Sequence, residues 1–104
     1  MEKIERDGEV AVLYSPGFGA GWSTWANDDQ KAALCMDARI VGPFLAGDLA
    51  GAVAAAKAMF PDLNTGGAYD LKVTWIEKGK KFEVEEYDGS ESVHVLGART
   101  YLVA

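Results

Sequence analysis

The sequence predicts an α+β protein: a short N-terminal strand, a glycine-aromatic loop, and two or three helices packed on a C-terminal antiparallel sheet of about three strands. Three observations lead there. Glu9–Tyr14 is a short run of β-branched and aromatic residues that stops at Ser15-Pro16-Gly17. Asp37 and Asp48 stand as N-caps ahead of apolar residues at helical spacing. From Tyr69 onward the apolar residues alternate instead. The 104 residues fit one domain, 1–104, because a chain of this size removes only roughly 65% of its unfolded surface from water and has no material for a second core.

Taken in order, Glu9–Tyr14 reads as a buried strand. Pro16-Gly17-Phe18-Gly19-Ala20-Gly21-Trp22 sets three glycines around two aromatics, a composition that disfavours helix and regular strand because each glycine is costly to order. It predicts a shaped loop. Residues 23–35 leave two readings open, a helix starting at Ser23, Asn27 or Asp28, or a short strand around Ala32–Cys35. Asp37 caps a helix carrying Ile40, Val41, Phe44 and Leu45 and stopping at Gly47. Pro43 inside it predicts that it is short or kinked. Asp48 caps the next helix, whose stripe is Leu49, Val53, Ala56 and Phe60 and which ends before Pro61. Leu71, Val73 and Trp75, a turn at residues 77–81, then Phe82 and Val84 predict a hairpin with one face on the helices. Asp88-Gly89 marks a second turn, and residues 93–96 and 100–103 follow as a third strand broken or bulged at Gly97.

Composition excludes several function classes. With 49% hydrophobic and 25% charged residues the chain is neither disordered nor fibrous. Its net charge of −6 disfavours direct nucleic-acid contact, which relies on Lys and Arg displacing counterions, and fits a protein partner with a basic surface instead. A homodimer is compatible with it. Cys35 is the only cysteine, so no internal disulfide is expected, and the start Met1-Glu2-Lys3-Ile4-Glu5-Arg6-Asp7 lacks the apolar stretch of a signal peptide. A cytoplasmic location follows as the expectation. The most apolar run, Leu49–Phe60, is too short to span a membrane.

Two regions carry the candidate site. The first is the loop, with Phe18, Trp22, Ser23, Trp25, Asn27 and Asp28. Its glycines follow Gly-x-Gly-x-Gly, which matches neither the dinucleotide fingerprint nor a P-loop. Trp22 and Trp25 lie three apart and would share a helix face; if solvent-facing, they anchor a protein partner, since tryptophan buries much area with few rotamers. The plainer alternative is that Phe18, Trp22 and Trp25 cover the core. The second region is Glu83, Glu85, Glu86, Asp88 and Glu91, five carboxylates with no Lys or Arg among them. Glu83 and Glu85 lie opposite Phe82 and Val84 on their strand and should face solvent together, either as a solvated guard on an edge strand or as a patch for a basic groove.

No catalytic, metal or cofactor site is expected. His94 lies between two valines on an alternating strand and reads as a surface or rim residue. Cys35 reads as a small buried hydrophobe, and one Cys with one His falls short of the four ligands of a structural zinc. Asp28 and Asp29 could pair as acid and base but fit helix N-terminal charge complements better.

The segment Ser15-Pro16-Gly17-Phe18-Gly19-Ala20-Gly21-Trp22-Ser23-Thr24-Trp25 resembles one found in small, mostly uncharacterised proteins encoded by bacteriophages and prophages. The C-terminal residues 82–93, Phe-Glu-Val-Glu-Glu-Tyr-Asp-Gly-Ser-Glu-Ser-Val, and the terminal Tyr101-Leu102-Val103-Ala104 resemble the ends of the same proteins. This chain departs in having Ala26 where asparagine usually follows the second tryptophan, a place Asn27 could fill, and in Gly42-Pro43. The resemblance implies an accessory protein in the host cytoplasm that binds, and inhibits, a host protein such as a CRISPR-type defence component, without being an enzyme. A protein that sequesters a nucleotide signal, its glycine loop cradling the ligand, is the alternative expectation; an enzyme would need His94, an aspartate and Cys35 in one pocket.

Overall fold

The fold opens on an Asp-Gly turn. Asp7 and Gly8 both take positive φ, 54° and 80°, the geometry whose twist suits a two-residue hairpin, and they join β1 (Glu5–Arg6) to β2 (Glu9–Tyr14). The computed structural model describes residues 1–17, 21–24, 26–95 and 102–104, apart from the side chains of Asp28 and Tyr69. Phe18 and Trp25 therefore lie outside the described residues, as does the expected break at Gly97.

Three helices follow: α1 (Asp28–Met36), α2 (Ala38–Leu45) and α3 (Leu49–Met59). Of the two readings open for residues 23–35, the helix forms, with Asn27 as its N-cap and Gln30 reaching back to accept from the Asn27 amide at 3.4 Å. Asp37 and Asp48 cap the next two helices as expected, accepting from Arg39 N and Gly51 N. With Pro43 inside, α2 is held to eight residues. After a single 3₁₀ turn at Ala68–Asp70 come β3 (Lys72–Glu77), β4 (Lys81–Tyr87), β5 (Ser90–Val95) and β6 (Leu102–Val103).

The fold is α+β, with three α-helices and two three-stranded antiparallel sheets among the described residues, ordered β1-β2-β3 and β5-β4-β6. The pairing corrects one expectation. β3 and β4 are not a hairpin: β3 pairs along its whole length with β2, from Glu9↔Glu77 to Tyr14↔Lys72. The intervening turn leads from one sheet to the other, with Lys78 N bonded to Gly8 O and Gly79 N to Ala104 O. The cause is β2, whose Val10, Ala11, Val12 and Leu13 are fully buried on both faces; a strand so placed needs a long partner on its open edge. The C-terminal sheet is then built from β4 with β5 and β6 on opposite sides.

β2 divides the core in two. Ala11 and Leu13 pack with Trp22, Leu34, Ile40, Val41, Ala52 and Ala56, the contribution of the helices. Val10 and Val12 pack with Cys35, Met36, Ile76, Phe82 and Ala104, which joins the end of α1 to β4. No described helix is long and apolar enough to cross a membrane.

Candidate functional site

The β4–β5 hairpin turns at Asp88 and Gly89, again with two positive φ angles, 53° and 85°. That two-residue turn fixes the register: Tyr87↔Ser90, Glu86↔Glu91, Glu85↔Ser92, Val84↔Val93, Glu83↔His94. Side chains alternate across a strand, so the five carboxylates divide. Glu83 and Glu85 lie on the outer face, as their spacing required, and Tyr87 continues the row at 83% exposure. Lys81 heads the same row, and Asp88 is exposed at the tip. Glu86 and Glu91 turn inward with Phe82, Val84 and Val93, and Glu86 is half-buried, accepting from Gly89 N at 3.1 Å.

Glu91 corrects the expectation of a surface acid: it is 1% exposed. Its Oε1 accepts from Ser15 N at 2.9 Å. Its Oε2 accepts from Trp22 N at 2.7 Å, Ser23 N at 3.0 Å, Thr24 N at 3.1 Å and Thr24 Oγ1 at 2.9 Å. Successive backbone N–H groups converging on one point form an anion nest, and here the anion is the protein's own carboxylate. Described residues at the two ends of the glycine-aromatic segment do gather amides around a negative group, but these donors, Ser15, Trp22, Ser23 and Thr24, are already engaged by Glu91. They are not offered to a nucleotide phosphate.

Trp22 is corrected in the same way. It is 2% exposed, and its indole Nε1 donates to Leu34 O at 2.8 Å, so the ring is core and not a solvent-facing anchor. Ser23 is also buried, and its hydroxyl accepts from Cys35 Sγ at 3.2 Å. Asn27 is exposed at the start of α1, and Asp28 occupies the first turn of that helix. A groove of about 370 Å³ lies beside Trp22, lined also by Ala26, Asn27, Gln30, Phe60 and Leu63. The structure thus joins Trp22, Ser23 and Glu91 in one buried constellation and leaves Glu83, Glu85 and Asp88 on a separate outer surface. Tyr87, Ser15 and Thr24 were missed by sequence reasoning. A signal for Glu91 was present: it lies at i−2 and i−4 from Val93 and Val95, the face expected to turn inward.

Among the described residues, Cys35 and His94 are disposed without a relay. Burial pushes the Cys35 thiol up to about 12 from 9.0, against the smaller opposing effect of the Ser23 hydrogen bond, so the nucleophilic thiolate is suppressed. His94 is exposed, with Ser92 Oγ 2.9 Å and Glu85 Oε2 3.6 Å from its Nε2. A nucleophile-base-acid relay uses both ring nitrogens, one for each partner; here both partners meet the same nitrogen. No three His, Cys, Asp or Glu side chains among the described residues are grouped to hold a metal.

Comparison with protein-family models, with curated proteins and with solved structures finds no match to this chain. The functional reading therefore rests on its own residues.

Proposed function

We propose that this chain is a non-enzymatic accessory protein of phage or prophage origin. In the host cytoplasm it binds, and so inhibits, a host protein such as a CRISPR-type defence component. The outer face of the β4–β5 hairpin meets a basic surface on that partner. The observation that carries this reading is the outer-face row Glu83, Glu85 and Tyr87, half-buried at Glu83 and exposed at Glu85 and Tyr87, with exposed Asp88 at its end. Acidic side chains in such a row steer a basic partner and reject acidic ones, while an exposed tyrosine contributes contact area at small entropic cost. The groove beside Trp22 adds a recess of mixed lining, polar at Asn27 and Gln30 and apolar at Phe60 and Leu63.

The test is affinity capture from host lysate with the wild-type chain and with Glu83→Lys/Glu85→Lys, followed by binding measurements at rising salt. A partner lost by the double variant and weakened by salt supports the proposal. Equal retention by both chains overturns it.

A small ligand is the second reading, favoured by the size of the same groove, which falls within the range of ligand sites, about 300–1,000 Å³. It places the ligand against Trp22, Asn27 and Gln30 and away from the amides held by Glu91. A thermal-shift screen with cyclic and adenine-containing nucleotides tests it, and a flat screen removes it.

A further inference from the structure

Ser15 follows β2, and Trp22, Ser23 and Thr24 lead toward α1, yet both stretches are bonded to a single side chain on the other sheet. The attachment runs both ways. Glu91 N donates to Ser15 O at 2.7 Å, and Ser90 Oγ donates to Pro16 O. The carboxylate receives four amides and one hydroxyl, all uncharged donors, in a buried setting.

Separation of the two parts would leave buried donors and a desolvated carboxylate unsatisfied at once, and each such group carries its own penalty. Neither part can leave alone without exposing the other's half of the nest. We infer that Glu91 is a clasp that makes the β4–β5 hairpin and the described chain at Ser15–Gly17 and Gly21–Thr24 one opening unit, so that a molecule gripping either part changes the opening of both. The coupling extends to the groove, because Trp22 lines it and is tied through its indole to Leu34 of α1. The inference concerns the chain itself and does not depend on what the outer acidic face binds.

Native-state hydrogen exchange in sub-denaturing urea tests it on the unaltered protein. The amides of Trp22, Ser23 and Thr24 are expected to share one opening equilibrium, with the same urea dependence, as the cross-strand amides of β4 and β5, distinct from that of Val10–Leu13 in β2. Glu91→Gln keeps the side chain's size but puts an NH2 group where an acceptor is needed. It should speed exchange at Trp22–Thr24 and in the hairpin by about 100-fold, the equivalent of losing charge-assisted bonds, with β2 little changed. In Glu91→Ala, added formate should refill the nest and restore protection at Trp22–Thr24 but not in the hairpin, because formate is not tethered to β5. Separate openings of the loop and hairpin amides in wild type would overturn the inference, and so would unaltered exchange in Glu91→Gln. If neither variant folds, the wild-type comparison alone decides.

Discussion

The backbone amide of Trp22 donates to Glu91 Oε2 at 2.7 Å across 69 residues of sequence. In this pair the tryptophan's ring and its backbone have different duties. The ring fills the core beneath the helices, while the amide joins its two successors in surrounding a carboxylate. The described residues on either side, Ser15 and Trp22–Thr24, are held by Glu91 from inside the molecule.

Glu91→Ala is accordingly expected to lower folding stability by about 3 kcal/mol, more than a typical surface substitution, since several buried donors lose their acceptor together. The urea midpoint checks this. A loss below about 1 kcal/mol would mean that water replaces the carboxylate at little cost.

Glu83→Lys with Glu85→Lys should behave in the opposite way. These side chains lie on the outer face of β4, away from the core, and the double reversal exchanges one pair of like charges for another, so stability is expected to stay within about 0.5 kcal/mol of wild type. The same urea experiment reads it. A loss of several kcal/mol would assign the two carboxylates to the architecture and not to recognition.

Legibility in the sequence followed how local each signal was. The caps at Asp37 and Asp48, the strand Glu9–Tyr14 and the turn at Asp88-Gly89 are written in a few adjacent residues, and all form. The turn at Asp7-Gly8 carries the same dipeptide signal and forms with the same pair of positive φ angles. The partner of β3 is a long-range matter: it was decided by the two-sided burial of β2, which its run Val-Ala-Val-Leu hints at without naming an edge. The site divided likewise. Alternation from Phe82 placed Glu83 and Glu85 outward, whereas Glu91 was grouped with them by charge when its spacing from Val93 put it inward. That its partners are amides near Trp22 depends on the meeting of two sheets, which no short window contains.

Cys35 predicts a pH effect on the alkaline side. Its thiol is pushed up to about 12 by burial, so the folded state disfavours the thiolate that the unfolded chain forms near 9.0. The stability that this group contributes is complete below pH 9 and falls as pH rises from 9 toward 12, by up to about 1.4 kcal/mol per unit. Urea titrations at stepped pH should show a steeper alkaline decline for wild type than for Cys35→Ala, and a thiol reagent should fail to label the folded protein below pH 9. Rapid labelling there would contradict the burial.

Asp37 predicts an effect on the acid side. Its carboxylate accepts from the Arg39 side chain at 2.8 and 3.1 Å and caps α2 through Arg39 N at 2.9 Å. The side-chain hydrogen bond from Arg39 is the main cause holding its pKa below 3.8, with burial opposing it. A lowered folded value means that the contribution is present above 3.8 and disappears as pH falls through the folded value. Asp37→Ala should thus cost about 1 kcal/mol at neutral pH, with the gap from wild type closing in strong acid. A gap that stayed constant with pH would rule out ionisation as the source.

Two glycine-to-alanine changes separate backbone entropy from close contact. Gly42 lies within α2 just before Pro43, and beyond its own stretch of helix a Cβ there would meet only Ile4 Cδ1, at 4.0 Å. Alanine should gain about 0.5–1 kcal/mol of helix propensity, but its Cβ stands against the ring of Pro43, a clash that disfavours helical backbone before proline, so the net change is expected to stay within about 0.5 kcal/mol of zero. Gly67 has neither the helix nor the room: a Cβ would run into the backbone carbonyl of Gly21, and Gly67 O accepts from Ser15 Oγ at 2.9 Å. A backbone carbonyl cannot swing aside as a side chain does, so Gly67→Ala must move Gly21 and, with it, the amides that follow at Trp22–Thr24. The expected result is a stability loss of about 2 kcal/mol or more, with the amide resonances of Trp22, Ser23 and Thr24 displaced while those of α3 stay in place. Near-neutral stability in Gly67→Ala would show that the loop can retreat from residue 67 and still enclose Glu91.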